Sequence, residues 1–244
     1  MVKKLGFGCM RLPLLDKDDQ TSFDTETLNK MVDMFLERGF TYFDTAYTYH
    51  GFKSEDAIRE ALVKRHHIDE FTLATKLPPR ILHAIEDQEK IFNEELEKCC
   101  VEFFDYYLLH NIGVGAYQQA CKYDTFGFAL NKKKEGKIKN LGISFHDTPE
   151  LLEEILTAHP ELDFVQLQIN YIDWNNPGIQ SGRCYEVARK HNKPIIVMEP
   201  CKGGNLAFVP EKAEELMKTY NPDASIPFLG NKICCQSGRR YDGT

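Results

Sequence analysis

No apolar run in this chain approaches the ~20 residues that a membrane-crossing helix needs. The opening stretch, "MVKKLGFGCMRLP", is too short and then too polar for a secretory signal. A cytoplasmic protein with no membrane partner is expected. No block of basic residues stands out, and the net charge is −7. The densest basic run, "NKKKEGKIKN", reads as a solvated helix end, where cations suit the helix dipole. Nucleic acid is therefore not an expected partner. The eight cysteines (Cys9, Cys99, Cys100, Cys121, Cys184, Cys201, Cys234 and Cys235) form no C-x-x-C pair. Structural zinc and a local iron–sulfur site both lack their spacing, so no metal is expected. In a reducing compartment most of these thiols are free, and several stand in apolar contexts as small core residues.

What the chain does have is alternation. Short strand-like runs take turns with longer amphipathic stretches over 244 residues, 42% of them hydrophobic. The strand candidates are "LGFGCM", "FTYFD", "FTLATK", "FDYYLLH", "IKNLGIS", "LDFVQLQIN" and "PIIVME". Between them lie helical patterns. "DTETLNKMVDMFLERG" has apolar residues at Leu28, Met31, Val32, Met34 and Phe35 and a stop at Gly39. "SEDAIREALVKR" has Ser54 as its N-cap. Further helices are expected from Ile85 to Cys100, from Tyr117 to Glu135, over "TPELLEEILTAHP" with Thr148 as cap, over "RCYEVARKHN" and over "PEKAEELMKTY". Seven β-then-α units in tandem argue for a parallel sheet. No G-x-G-x-x-G turn follows the first strand, which weakens a dinucleotide-type open sheet. Units of roughly thirty residues fit a (β/α)8 barrel, incomplete here because an eighth strand and helix are missing.

In such a barrel the chemistry gathers at the C-terminal ends of the strands. Strand two ends in Asp44, with Tyr49 in the next loop; strand three ends in Lys76 and strand four in His110. Strand five ends in Ser144, strand six in Gln168 and Asn170, and strand seven in Glu199. The first four make coherent chemistry. A phenol is a poor acid at neutral pH; a nearby ammonium favours the phenolate and is expected to lower the phenol pKa. An aspartate keeps that ammonium charged and oriented, and a histidine positions a carbonyl. The set suits a general acid that protonates a carbonyl oxygen as hydride reaches carbon. His50 and His146 read as loop histidines without a role, the alternative being contact with substrate.

"FDTAYTYHGFKSEDAIREAL" resembles the aldo-keto reductase signature, and "LATKLP", "DYYLLH", "KNLGIS" and "VMEPCKGG" resemble further segments of that family in the same order. The resemblance covers residues 4 to about 227. It implies a TIM barrel that uses NADPH or NADH to reduce an aldehyde or ketone, a small-molecule carbonyl, to an alcohol. It assigns the catalytic tetrad to Asp44, Tyr49, Lys76 and His110, and carboxamide binding to Ser144 and Gln168. It assigns further cofactor contacts to Met198, Glu199, Pro200, Lys202 and Gly203. Met198 stands where many members stack an aromatic ring on the nicotinamide. The nearest branch is one whose full-length members carry a C-terminal ferredoxin-like 4Fe-4S extension; an iron–sulfur cluster is implied for those relatives and not for this chain. Alternatives are a catalytically impaired truncated product and a non-catalytic cofactor-binding or regulatory barrel.

Residues 1–227 are thus read as a truncated reductase barrel and 228–244 as an aberrant tail. "FLGNKICCQSGRRYDGT" shows no helical or strand period and looks foreign to what precedes it. A coding of this tail exists that, read one base later, yields a helix pattern ending in glycine followed by a β-branched strand. A frameshift after Pro227 is therefore expected. Sequencing the locus checks it: an open frame downstream encoding the rest of a barrel and a cysteine-rich extension is the expected result, and its absence refutes the frameshift.

Overall fold

A computed structural model describes residues 3–236, and side chains as far as residue 232. The tail expectation for 237–244 lies outside the described residues. The chain forms two compact units, residues 1–144 and 145–244. The seven described strands are β1 (Gly6–Gly8), β2 (Tyr42–Asp44), β3 (Thr72–Leu77), β4 (Phe104–Ile112), β5 (Ile138–Phe145), β6 (Phe164–Gln168) and β7 (Ile195–Met198). Their order repeats chain order, and β1–β2, β2–β3, β3–β4 and β6–β7 pair in parallel. This is an incomplete (β/α)8 barrel. No described helix is long and apolar enough to cross a membrane.

In the first unit, α1 (Thr25–Glu37) starts where the Asp24 carboxylate accepts the Thr27 N–H at 3.0 Å. Leu28, Val32 and Phe35 are its buried face. It ends at Gly39, whose φ of +75° is cheap only for glycine. Phe35 meets Phe7, Phe40 and Phe43 with ring centroids 5.5, 5.0 and 5.2 Å away, which locks α1 onto β1 and β2.

Three local expectations need correction. Ser54 is not an N-cap: it is the first residue of α2 (Ser54–Ile58), which continues as a π-turn over Arg59–Val63. Its fully buried hydroxyl has tertiary partners instead, accepting from Thr45 Oγ1 at 2.8 Å and donating to the Cys9 carbonyl at 3.2 Å. The single helix expected over 117–135 is two, α4 (Val114–Lys122) and α5 (Thr125–Lys134), broken at Asp124 with φ +51°. Aspartate tolerates that conformation. Its carboxylate lies against Gly127, in the space a side chain there would take, so a larger residue would have to displace it. α3 (Glu86–Cys99) matches its expected span within a residue.

The third correction falls in the second unit, which holds β6, β7, α6 (Pro149–Ala158), α7 (Ser181–Lys190), α8 (Glu211–Tyr220) and α9 (Ile226–Gln236). The helix α9 covers the start of the segment read as having no period. Ile226 and Leu229, three apart, are buried on one face of it, a spacing too short to stand out among the polar and small residues around it. Thr148 caps α6 as expected, its hydroxyl accepting the Leu151 N–H at 3.4 Å. β6 is buried except for its last residue, whereas every residue of β7 is half-buried. α8 buries no residue, and Phe208, Leu216 and Tyr220 are exposed.

Strand parity in the first unit sorts two sets of side chains. Residues two apart share a face. Register sets Asp44 opposite Ala74, Ala74 opposite Tyr106 and Lys76 opposite Leu108, so Asp44, Lys76 and His110 belong to one face. Thr75 and Tyr107, opposite each other, belong to the other face. There Glu55 of α2 accepts the Thr75 hydroxyl at 2.6 Å and Glu95 of α3 accepts the Tyr107 hydroxyl at 2.5 Å. Both carboxyls are fully buried, and Glu55 Oε2 and Glu95 Oε1 have no hydrogen-bond partner among the described residues. Burial pushes Glu55 from the usual 4.5 up to about 7, against Thr75 and Lys98 and with Asp56 and Glu94. Burial, then the charge of Glu55, pushes Glu95 well above its ordinary value. The folded pair therefore holds protons that the unfolded chain has released, and stability falls as pH rises from the ordinary carboxylate range to about 7. Glu55→Gln keeps an acceptor for Thr75 and carries no charge. It is expected to flatten the decline in Tm between about pH 5 and about pH 8 and to raise Tm at the upper end. Thermal melts across that range measure this; an unchanged slope contradicts it.

Candidate active site

The centre of the first unit's polar face is Lys76. Its side chain is 1% exposed. The Nζ donates to Asp44 Oδ1 at 2.5 Å, to the Thr45 carbonyl at 2.6 Å and to Tyr49 Oη at 3.4 Å. Asp44 also accepts the Tyr42 hydroxyl on Oδ2 at 3.1 Å. Tyr42 lies two residues before Asp44, on the same strand face. The Tyr49 ring stands edge-on to His110, centroids 5.5 Å apart at 78°, and the Lys76 ammonium is 4.8 Å from the Tyr49 ring centre. The structure thus brings together Asp44, Tyr49, Lys76 and His110. Ser144, also in this unit and buried, accepts the Asn111 N–H at 2.8 Å through its hydroxyl.

The loop bearing Tyr49 is held by its own backbone. The Tyr49 N–H bonds to the Ala46 carbonyl at 3.1 Å, and the Tyr49 carbonyl accepts from Lys53 and Ser54 at 3.1 and 3.2 Å. Cys9 is fully buried close to the pair; burial, then the charge of Asp44, raises its thiol pKa, so it is an inert core residue here. His50 is also structural. Its Nε2 accepts the Leu12 N–H at 3.1 Å, and Nδ1 faces the Gln20 carbonyl at 2.9 Å. Those partners require the neutral tautomer with the proton on Nδ1.

Lys76 does lower the Tyr49 pKa as expected, but the net shift runs the other way. Burial raises the phenol and outweighs the lowering by Lys76, so Tyr49 lies above its usual value. Lys76 itself is pulled down by burial, but the charge of Asp44 and then Tyr49 outweigh that, and it stays above its ordinary value. At neutral pH the site holds a protonated phenol beside a charged ammonium.

The second unit carries the other expected residues. Gln168 ends β6, half-buried, with its Nε2 donating to Asp173 Oδ2 at 2.9 Å. Asn170 donates to the same oxygen at 2.7 Å. Lys202 donates to Asp173 Oδ1 at 2.5 Å. Met198 ends β7, half-buried. Glu199 (φ +58°), Lys202 (φ +46°), Gly203 (φ +65°) and Gly204 (φ +96°) are left-handed, with Pro200 between them, and the Lys202 N–H bonds to the Glu199 carbonyl at 2.9 Å. Sequence reasoning missed Asp173, which holds Gln168 and Lys202 at once; its one signal was an acid five residues beyond a strand-end glutamine. It also missed Tyr42 and the Thr45 carbonyl, of which the latter has no side-chain signature.

The aldo/keto reductase family profile matches residues 4–226, and the chain belongs to that family. No curated protein matches the chain significantly. Its fold is similar to that of a thermostable aldo-keto reductase in complex with the inhibitor epalrestat (20% identity, 93% of this chain and 78% of that one, TM-score 0.68). It is also similar to an aldo-keto reductase of Bacillus halodurans in its holo form (21% identity, 94% and 76%, TM-score 0.69). A third is an aldo-keto reductase of Klebsiella pneumoniae in complex with NADPH (17% identity, 93% and 74%, TM-score 0.67).

Lys76→Met would leave Asp44 and the Thr45 carbonyl without their cation. Breaking a buried pair from one side is costly, and a loss of about 3 kcal/mol in urea unfolding is expected. Adding Asp44→Leu to Lys76→Met should recover part of that loss, since the two residues are in contact. A single-variant loss under about 1 kcal/mol, the range of an exposed pair, contradicts the description.

Proposed function

We propose that this chain is an NAD(P)H-dependent oxidoreductase that reduces a small-molecule aldehyde or ketone to an alcohol, with Tyr49 as the general acid. The observation that carries the reading is the Lys76 ammonium, 3.4 Å from the Tyr49 hydroxyl while bonded to Asp44. The family match supports the reaction class, and the Klebsiella pneumoniae relative is a complex with NADPH. The residues fit a nicotinamide dinucleotide. Gln168 turns its Nε2 to Asp173, which leaves Oε1 as the end that can meet a carboxamide, and Lys202 with the left-handed Gly203 and Gly204 offers a cation and close backbone approach for a diphosphate.

When bound, the cofactor supplies hydride to the carbonyl carbon. Tyr49 Oη gives its proton to the carbonyl oxygen as charge develops there. Its raised pKa keeps that proton in place until then. Lys76 Nζ stabilises the phenolate left behind, and Asp44 keeps Lys76 charged and aimed. His110 orients the carbonyl. Ser144 and Gln168 are the residues that would hold the carboxamide, Met198 would border the nicotinamide, and Glu199, Pro200, Lys202 and Gly203 would serve the diphosphate. Met198 within "VMEPCKGG" supports a place near the branch with the ferredoxin-like extension. The protein acts in the cytoplasm.

Tyr49→Phe tests the assignment. Carbonyl reduction is expected to fall by at least ~100-fold, while NADPH titration by nucleotide fluorescence changes little. Reduction by the parent chain should be level through neutral pH and decline only in the alkaline range, where the phenol loses its proton. Undiminished turnover by Tyr49→Phe sinks the assignment.

A further inference from the structure

We infer that Asp173 is a positioning residue that fixes the amide polarity of Gln168, so that a nicotinamide carboxamide is recognised by its N–H group through Gln168 Oε1. The inference rests on the nicotinamide reading above and adds to it a residue that touches neither substrate nor cofactor.

Asp173 is fully buried in the turn after β6. Its Oδ2 accepts Gln168 Nε2 at 2.9 Å and Asn170 Nδ2 at 2.7 Å, and its Oδ1 accepts Lys202 Nζ at 2.5 Å. Its own N–H donates to Asn170 Oδ1 at 2.9 Å. Burial works to raise this carboxyl, but Lys202 and then the two amides outweigh it and hold it below the usual range. Asp173 is therefore an anion at neutral pH, and an ionised carboxylate only accepts. That settles which end of the Gln168 amide faces it. The NH2 must turn toward Asp173, and Oε1 must turn away. The backbone of Gln168 is pinned as well, its carbonyl accepting the Ser181 hydroxyl at 2.7 Å. The glutamine can then present only an acceptor, which suits the NH2 of a carboxamide.

The same carboxylate steadies the neighbouring loop. Glu199 and Lys202 are side-chain-bearing residues in left-handed backbone, a conformation they do not favour. Lys202 is tied to Asp173 by its ammonium, and Asn170 reaches from Asp173 to the Glu199 carbonyl at 3.3 Å. One buried anion thus sets both the polarity of the amide and the attachment of the loop.

Asp173→Asn tests this in the full chain. An asparagine both donates and accepts, so it no longer dictates the Gln168 orientation. The probes are NADPH and its 3-acetylpyridine analogue, which keeps the carbonyl oxygen and lacks the N–H. The parent chain is expected to bind NADPH about tenfold more tightly than the analogue, the worth of one hydrogen bond. In Asp173→Asn that preference should fall to near one. A general loosening weakens both ligands alike and leaves the ratio unmoved, so the ratio isolates the amide. Gln168→Leu should abolish the preference while Asp173 keeps Asn170 and Lys202. If Gln168→Leu keeps it, Oε1 is not the acceptor and the inference is overturned, whether or not Asp173→Asn folds. A retained preference in Asp173→Asn also overturns it. A parent chain that binds NADPH and the analogue equally overturns the inference and leaves the cofactor reading standing. A parent chain that binds neither removes both.

Discussion

A single buried ammonium constrains the first unit. An unpaired cation in a protein interior is costly, and a well-paired one about breaks even. Lys76 therefore needs its partners, and they come from separate places: the carboxylate of Asp44, the backbone carbonyl of Thr45 and the hydroxyl of Tyr49. Thr45 is held through Ser54, whose hydroxyl bridges the Thr45 side chain and the Cys9 carbonyl. Satisfying one charge thus aligns β2, β3, the stretch after β1 and the start of α2. The loop with Tyr49 has little freedom left once those contacts are made.

The sheet permits this because parallel strands buried on both sides carry two sets of information. Along β2, β3 and β4 one parity supplies Tyr42, Asp44, Lys76 and His110. The other parity supplies Phe43, Leu73, Thr75 and Tyr107, which face helices. The helix side contains its own polar problem in Glu55 and Glu95, and solves it by retaining protons rather than by pairing charges. A one-residue slip of β3 would exchange Thr75 and Lys76 and place an ammonium where only proton-bearing carboxyls now fit. Register and chemistry are therefore set by the same residues.

Much of this is legible in the sequence, for a physical reason. Buried parallel strands read as apolar runs, so the polar residue ending each run announces the rim: Asp44, Lys76, His110, Ser144 and Gln168 stand out in this way. The order of strands follows because βα units are local. What is not legible depends on contacts between distant residues. The break between α4 and α5 lies at Asp124, in left-handed backbone with its carboxylate against Gly127. Ser54 reads as a cap but is occupied by Thr45 and Cys9. The π-turn in α2 leaves no local mark. The direction of the Tyr49 shift was beyond reach, because it is a contest between burial and Lys76 that depends on how much of the phenol is covered. The helix α9 hides in a segment whose buried residues are few.

The two units use the same kind of ion pair in opposite senses. In Lys76–Asp44 the cation is 1% exposed and the anion 14%; in Lys202–Asp173 the cation is 34% exposed and the anion 0%. The buried member is the one that organises its neighbours, because it is the one that cannot turn to water. A buried cation stabilises an anion forming beside it, which is what a phenol losing its proton requires. A buried anion acts on donors: it turns amide NH2 groups inward and their oxygens outward, which is what a carboxamide-reading glutamine requires. The less buried member stays reachable. Lys202, tied by one contact to Asp173, has ammonium protons left for an anionic group, whereas Lys76 has spent its three on Asp44, Thr45 and Tyr49. Reversing which partner is buried thus suits one ion pair to the proton transfer proposed for Tyr49 and the other to the cofactor binding proposed for Gln168 and Lys202.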